Sequence, residues 1–199
     1  AVFAETCPHY LNFTNEVYKR ADGCNFVCSP SIKGQDSQNA VWAGIKRGDI
    51  QTVATDHCPV QSFEKQWGSK DFTKTPNGCA GIENMYPYML SQANRGVISF
   101  CKAVELCSSN PAEIFGCDNV KGSLAPGHDA DIVIYDLYKD VTVKNENMHG
   151  NSDHTIWEDT KLKGYPTEVY SRGRLVFKDG IFLGERGYGK FVKCSRLNF

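Results

Sequence analysis

The sequence predicts an α/β fold that gives way to a β-rich carboxy-terminal part, and three observations carry that reading. Residues 2–7 and 52–55 have strand character, and a helical segment over 35–48 lies between them. Strand, loop, helix, strand is the order of a parallel βα repeat. The second run, Thr52-Val53-Ala54-Thr55, is rich in β-branched residues and stops abruptly at Asp56. A carboxylate placed where a buried strand opens into a loop is where a barrel enzyme keeps a metal ligand or a general base. Beyond Val120 the chain turns to short apolar runs separated by glycine turns, which places a boundary near that residue.

The elements follow in order. After the first strand comes a loop with Pro8-His9-Tyr10-Leu11, a short helix over 15–20 and a turn at Asp22-Gly23. Ser29-Pro30 marks a break, because a proline ring pushes the preceding residue out of the helical region. Over 35–48 the apolar Ala40, Val41 and Ile45, with Trp42 beside them, recur near helical spacing, and Gly48-Asp49 punctuates the end. From 60 to 82 the chain is polar, with Gly68, Pro76, Gly78 and Gly81. A long loop after a strand is a common home for function in barrel enzymes. Helical patterns resume over 83–95 and 99–107. Asn110-Pro111-Ala112-Glu113 then starts a further short helix, with Asn110 as its cap and Pro111 at its first position, and Gly116 ends it. Strands are expected at 131–136 and 141–143, and two more between Pro166 and Phe177, split at Ser171-Arg172-Gly173. The predicted organisation is 1–120 for the βα part, 121–183 for the β part and 184–199 for an extended tail. In that tail Phe191, Val192 and Leu197 alternate with Lys190, Lys193 and Arg196. Apolar side chains on a lone arm need another surface, so the tail is expected to lie along a neighbouring subunit.

Composition bounds the function. A chain of 199 residues with 41% apolar content and a formal net charge of -1 can bury one or two modest cores. That balance points neither to nucleic acid nor to an anionic membrane surface. No apolar run approaches the length of a bilayer span, and the opening residues are too short and too polar-ended for a signal peptide, so a cytoplasmic chain is expected. The nine cysteines are spread singly from Cys7 to Cys194 without a C-x-x-C pair, which fits free thiols in a reducing compartment. The chain lacks a starting Met and opens directly on a strand, as though cut from a longer one.

Five stretches then occur in a telling order: Glu5-Thr6-Cys7-Pro8-His9-Tyr10-Leu11, Cys28-Ser29-Pro30, Thr55-Asp56-His57-Cys58-Pro59, Gly78-Cys79-Ala80-Gly81-Ile82-Glu83, and Asn110-Pro111-Ala112 through Gly122 to Gly127-His128-Asp129-Ala130-Asp131-Ile132-Val133. In series they resemble the carboxy-terminal part of the dihydropyrimidinase and D-hydantoinase family of cyclic amidohydrolases, over nearly the whole chain. The resemblance implies the last part of a metal-dependent hydrolase TIM barrel, with residues 2–7 as strand seven and 52–55 as strand eight. It also implies that 121–183 form part of a small β-sandwich.

The same resemblance implies a ring-opening reaction that turns dihydropyrimidines or hydantoins into N-carbamoyl amino acids. In that family two divalent ions, zinc by expectation, are held by four histidines, a carboxylated lysine and one aspartate. Only the aspartate has a counterpart here, Asp56, so the 199-residue chain alone is expected to hold no metal and to be inactive. The metals lower the pKa of the attacking water and polarise the ring carbonyl. A carboxylate beside them can take the proton and return it to the departing nitrogen, so Asp56 is the expected metal ligand and the expected catalytic base and acid. Asn would keep the shape without the proton affinity.

Ser29 and Ala80 match positions that contact the cyclic imide of the substrate, chiefly through main-chain groups. Ala80 stands where dihydropyrimidinases commonly have Asn; a main-chain contact survives the change, since every residue but proline keeps both donor and acceptor. His57 reads either as a partner of the site or as a packed loop histidine. His9 replaces a glutamine often seen in the family and is assigned no metal. His128, Asp129 and Asp131 read as turn formers. Cys58 has no evident histidine partner, which argues against a nucleophilic thiol. The expected partners are a small cyclic amide or imide and further copies of the chain. Dihydroorotase and allantoinase are the alternatives among enzymes. A non-catalytic, dihydropyrimidinase-related interaction protein is the alternative of another class; such relatives have generally lost the strand-eight aspartate.

Overall fold

The computed structural model describes residues 2–195. Strand β1 (Glu5–Thr6) pairs in parallel with strand β2 (Thr52–Val53), Glu5 opposite Thr52 and Thr6 opposite Val53. The connection passes through helix α1 (Pro8–Asn12), two 3-10 turns (Asn15–Lys19 and Gly23–Phe26) and helix α2 (Gln35–Arg47). This is the βα repeat expected from the alternation, and the α/β class holds. Residues 8–12, expected as loop, are helical instead. Pro8 sits in the first turn, where a missing N–H leaves no intrahelical bond unmade.

Helix α2 buries Gly44 and Ile45, and its Trp42 Nε1 donates to the carbonyl of Leu11 at 3.1 Å, which ties it to the end of α1. It stops at Gly48, whose φ of 88° lets the N–H groups of the last turn close onto Gly44 and Ile45. The stretch expected as one long loop after β2 carries helix α3 (Ser62–Lys65) and two 3-10 turns, Gln66–Gly68 and Phe72–Lys74. Glu64 reaches back to the backbone N–H of Gln61 at 2.9 Å and fixes the entry to α3.

Helix α4 (Met85–Asn94) is followed by α5 (Phe100–Val104), a widened π-turn (Glu105–Ser109) and α6 (Asn110–Ile114). Ser99 caps α5 through the N–H of Lys102 at 3.0 Å. Asn110 does not cap a new helix as expected: Ser109 and Asn110 both have helical φ and ψ, so α5, the π-turn and α6 run on continuously. Pro111 can donate no N–H to the preceding turn, and the wide turn just before it accommodates that gap.

Strands β3 (Ile132–Thr142), β4 (Lys161–Ser171), β5 (Arg174–Lys178) and β6 (Ile181–Phe182) form one sheet in that order. β3 merges the two strands expected at 131–136 and 141–143, and β6 is an addition. β4 and β5 are antiparallel, joined by Arg172-Gly173 with φ of 46° and 78°. Two residues with positive φ make a turn whose twist matches the strands.

The chain forms two compact units, one built from Ala4–Tyr88 and Thr142–Lys161, the other chiefly from Met89–Val141 and the residues from Leu162 onward. In the first, Trp157 is fully buried, its ring 5.2 Å from that of Phe13 and 5.1 Å from that of Tyr88, with Phe26 against Phe13. In the second, Met89, Ala103, Leu106 and Leu162 are buried, and the Asn94 side chain donates to Leu137 and Lys163 carbonyls of β3 and β4.

The described part of the tail makes contacts within its own unit. Tyr188 lies under the guanidinium groups of Arg172 and Arg174, and its hydroxyl donates to the Ser171 carbonyl at 2.9 Å. Further on, the Ser195 N–H donates to Gly116 at 2.7 Å. Cation–π contact and hydrogen bonds thus hold the tail to its own unit. Leu197 and Arg196 fall outside the described residues. All nine cysteines are free thiols, and among the described residues no helix is long and apolar enough to cross a membrane.

Candidate functional site

Three hydrogen-bonded links run in sequence through the first unit at the carboxyl ends of β1 and β2. The Ala54 N–H donates to Thr6 at 3.0 Å, the Cys58 N–H to Cys79 at 3.1 Å, and the Gly78 N–H to Val27 at 3.0 Å. Main chain from 6, 54–58, 78–79 and 27 is thereby joined into one belt, and Asp56, Ala80 and Ser29 all lie on it or within two residues of it. The structure therefore brings together the segments that carry all three residues singled out from the sequence.

Asp56 follows β2 by three residues and is exposed, with φ of 45°. A left-handed backbone is uncommon for any residue but glycine, although aspartate tolerates it better than most. Its carboxylate accepts no hydrogen bond and makes no ion pair among the described residues. Its charge reaches the thiols of Cys7 and Cys79, and with burial it helps to push Cys7 up to about 12. Ser29 is exposed and Ala80 half-buried.

His57 has a definite task. Its Nδ1 accepts from the N–H groups of Gly81 at 3.0 Å and Ile82 at 3.2 Å, so the ring pins the loop just after Ala80. A cavity of about 60 Å³ borders this loop, lined in part by His57, Ala80, Gly81, Asn151 and Thr155. Gly78, with φ of 134°, is required for the approach: a Cβ there would lie 2.7 Å from Cys58 Cβ, O and Sγ. The Cys28 thiol donates to the Pro30 carbonyl at 3.3 Å and the Cys79 thiol to the Asn25 carbonyl at 3.7 Å, and the interaction between the two thiols lowers the pKa of Cys28 and raises that of Cys79. Cys58 is exposed, 3.8 Å from the Asn77 carbonyl, without a histidine partner.

Lys65, the last residue of α3, is 0% exposed. Its Nζ donates to the carbonyls of Val27 at 2.9 Å, Pro76 at 2.8 Å and Gly78 at 2.7 Å, three acceptors for its three protons. Burial pulls its pKa down from the usual lysine range. Nothing in the sequence signals this, because a lysine in a polar loop is ordinarily solvated.

Segment 145–155 is fastened to the loop after β2 by two carboxylates. Glu83 accepts from the N–H groups of His149 at 2.7 Å and Gly150 at 3.0 Å, and pairs with His149 Nδ1 at 2.8 Å. Asp153 accepts from Ser62 N at 2.9 Å and Ser62 Oγ at 2.5 Å. The Ser62 hydrogen bond, followed by that of His154, brings the Asp153 pKa down to about 2. Neither carboxylate's partners are legible in the sequence, because they lie 66 and 91 residues away.

His128 Nε2 is 2.8 Å from the Asp118 carbonyl, while Asp129 and Asp131 both pair with Lys121. Among the described residues no group of three or more His, Cys, Asp or Glu side chains could hold a metal ion. One exposed, unengaged carboxylate at a strand end is chemically suited to be a single ligand of a centre whose other donors come from elsewhere.

Comparison with known proteins gives the site its setting. Residues 4–176 match the amidohydrolase family. D-phenylhydantoinase of Escherichia coli O81 (strain ED1a) is 39% identical over 194 residues, an alignment covering 96% of this chain and 42% of that protein. The crystal structure of dihydropyrimidinase from Brevibacillus agri NCHU1002 superimposes with a TM-score of 0.96 at 36% identity, covering 100% of this chain and 44% of the other. L-hydantoinase (dihydropyrimidinase) from Arthrobacter aurescens gives a TM-score of 0.90 at 31% identity, covering 96% and 42%. The chain thus spans about 42% of the length of the curated relatives it matches. With this sequence match and this shared geometry, the chain belongs to the amidohydrolase family, beside the hydantoinases and dihydropyrimidinases.

Proposed function

We propose that a longer polypeptide containing this chain hydrolyses the cyclic amide bond of dihydropyrimidines or hydantoins, releasing N-carbamoyl amino acids. The observation that carries the reading is the position of Asp56: an exposed carboxylate without a hydrogen-bond partner among the described residues, just beyond the carboxyl end of β2. Reacting groups in barrel enzymes gather at that end of the strands.

In this reading Asp56 is one ligand of a centre of two divalent ions, zinc first among the candidates. Such ions supply a lowered pKa for the attacking water and polarisation of the ring carbonyl. The Asp56 carboxylate takes the water's proton and delivers it to the ring nitrogen as the C–N bond breaks. The main chain at Ser29 and Ala80 offers N–H and C=O groups to the planar imide edge, which has donors and acceptors of its own. Alanine at position 80 bears on which ring is preferred, because it contributes no side-chain amide.

The wider setting belongs to the same proposal. Residues 1–120 complete a βα barrel, 121–183 contribute to a β-sandwich domain and 184–199 are an extended tail. The protein works as a homo-oligomer in the cytoplasm. The nine free thiols support a reducing compartment.

The test is Asp56→Asn in the full-length polypeptide, with ring opening of dihydrouracil and hydantoin and the metal content read on one preparation. Turnover is expected to fall by at least about a hundredfold while most of the metal stays, because the other ligands remain. Activity within a few-fold of the parent rules out the proton-transfer role of Asp56.

A further inference from the structure

In the first unit the Lys65 side chain bonds both to the backbone leading into Ser29 and to the backbone leading into Ala80. Its three acceptors are spread along the chain: Val27 lies two residues before Ser29, Gly78 two residues before Ala80, and Pro76 begins the turn into Gly78. The Gly78 N–H also donates to Val27, so the Val27 carbonyl is shared between a main-chain donor and the ammonium group.

The physical cost shows that this arrangement is specific. An ammonium group out of contact with water loses its hydration, and a buried lysine ordinarily either pairs with a carboxylate or gives up its proton. Lys65 makes no ion pair among the described residues; three carbonyl dipoles replace the hydration shell. Charge-assisted hydrogen bonds are roughly twice as strong as neutral ones and tighten geometry accordingly. A surface solution would have been cheaper for a loop that needed only to be tethered. A point cation with three convergent donors fixes the mutual position of two backbone segments in a way that no single main-chain bond does.

We propose that Lys65 is the positioning residue of the substrate pocket: by clasping the Val27, Pro76 and Gly78 carbonyls it sets the spacing between the main chain at Ser29 and at Ala80, and so the width of the slot that receives the planar imide edge of a cyclic substrate. The inference rests on the ring-hydrolase reading for its substrate, and on the three hydrogen bonds for its geometry. Lys65 does not touch substrate and acts through the two segments. A ring is recognised by paired donors and acceptors along one edge, so a shift of about 1 Å in one segment breaks the match.

Two measurements separate this inference from the reading beneath it. Amide hydrogen exchange in the 199-residue chain compares the parent with Lys65→Met. The Gly78 and Cys58 amides should exchange at least tenfold faster in the variant, while amides in the middle of α2 keep the parental rate. In the full-length polypeptide Lys65→Met should raise KM for dihydrouracil or hydantoin at least tenfold, with metal content unchanged and kcat within about threefold, a split that general destabilisation does not give. If Lys65→Met fails to fold, Lys65→Gln, which keeps a shorter donor, carries both measurements with smaller shifts in the same direction. Parental exchange at Gly78 and Cys58 overturns the positioning role whatever the activity, and so does a parental KM alongside accelerated exchange. A full-length parent that is loaded with metal yet opens neither ring sinks the ring-hydrolase reading instead, and the exchange result then still decides whether Lys65 sets the spacing.

Discussion

Nδ1 of His57 accepts the backbone N–H of Gly81 at 3.0 Å, which makes the residue next to Asp56 the anchor of the residue next to Ala80. The second bond, from Ile82 at 3.2 Å, uses the same nitrogen. An Nδ1 that accepts requires the ring proton on Nε2, so the two contacts also settle the tautomer.

His57→Ala should therefore free two loop amides at once. Each lost hydrogen bond contributes about 0.5–1.5 kcal/mol, and the Gly81 and Ile82 amides should exchange with solvent at least tenfold faster. Unchanged protection at both would show that the loop is held by other contacts.

Asp56 adopts a backbone conformation that glycine accepts freely, so its place at the strand end is set against local preference. Asp56→Gly is expected to leave stability to urea within about 1 kcal/mol of the parent or to raise it, because relief of the positive φ offsets the extra freedom gained by the unfolded chain. The same change removes the carboxylate. A loss of more than about 2 kcal/mol would give Asp56 a structural role that its lack of partners does not suggest.

Trp157 fills the centre of the first unit against Phe13 and Tyr88. Trp157→Ala should cost about 3–5 kcal/mol, the range for emptying a large aromatic site in a core. Urea unfolding of the 199-residue chain reads this directly. A cost below about 1 kcal/mol would mean that the three rings do not form a packed core.

Asp153 has a folded pKa of about 2, lowered by the Ser62 hydrogen bond and by His154. A depressed carboxylate stabilises the fold fully above its unfolded value of about 3.9, and that contribution is lost as the pH falls from there through about 2. Stability of the parent should drop over this window more steeply than that of Asp153→Asn, measured by urea titrations at pH steps between them. Parallel curves would show that the Ser62 contact does not distinguish the two protonation states.

The sequence by itself determined the α/β class, the pairing of strands around 2–7 and 52–55, the helix over 35–48, the hairpin at Arg172-Gly173 and the family. These rest on local periodicity, turn chemistry and short motifs, whose cause and effect lie within a few residues of each other. It also pointed to Asp56, because a carboxylate ending a β-branched run is visible in the string. The continuous helix through Asn110 and Pro111 was not legible, since a capping Asn and a first-turn proline look the same when a widened turn absorbs the proline inside a longer helix. The tail's return onto Gly116 and the Arg172 and Arg174 side chains depended on partners distant in sequence. The tertiary structure alone decided that His57 pins Gly81 and that Lys65 is fully buried among three carbonyls. A charged residue in a polar loop is solvated by default, and only the folding of residues 27, 76 and 78 around one point makes burial of the ammonium group favourable.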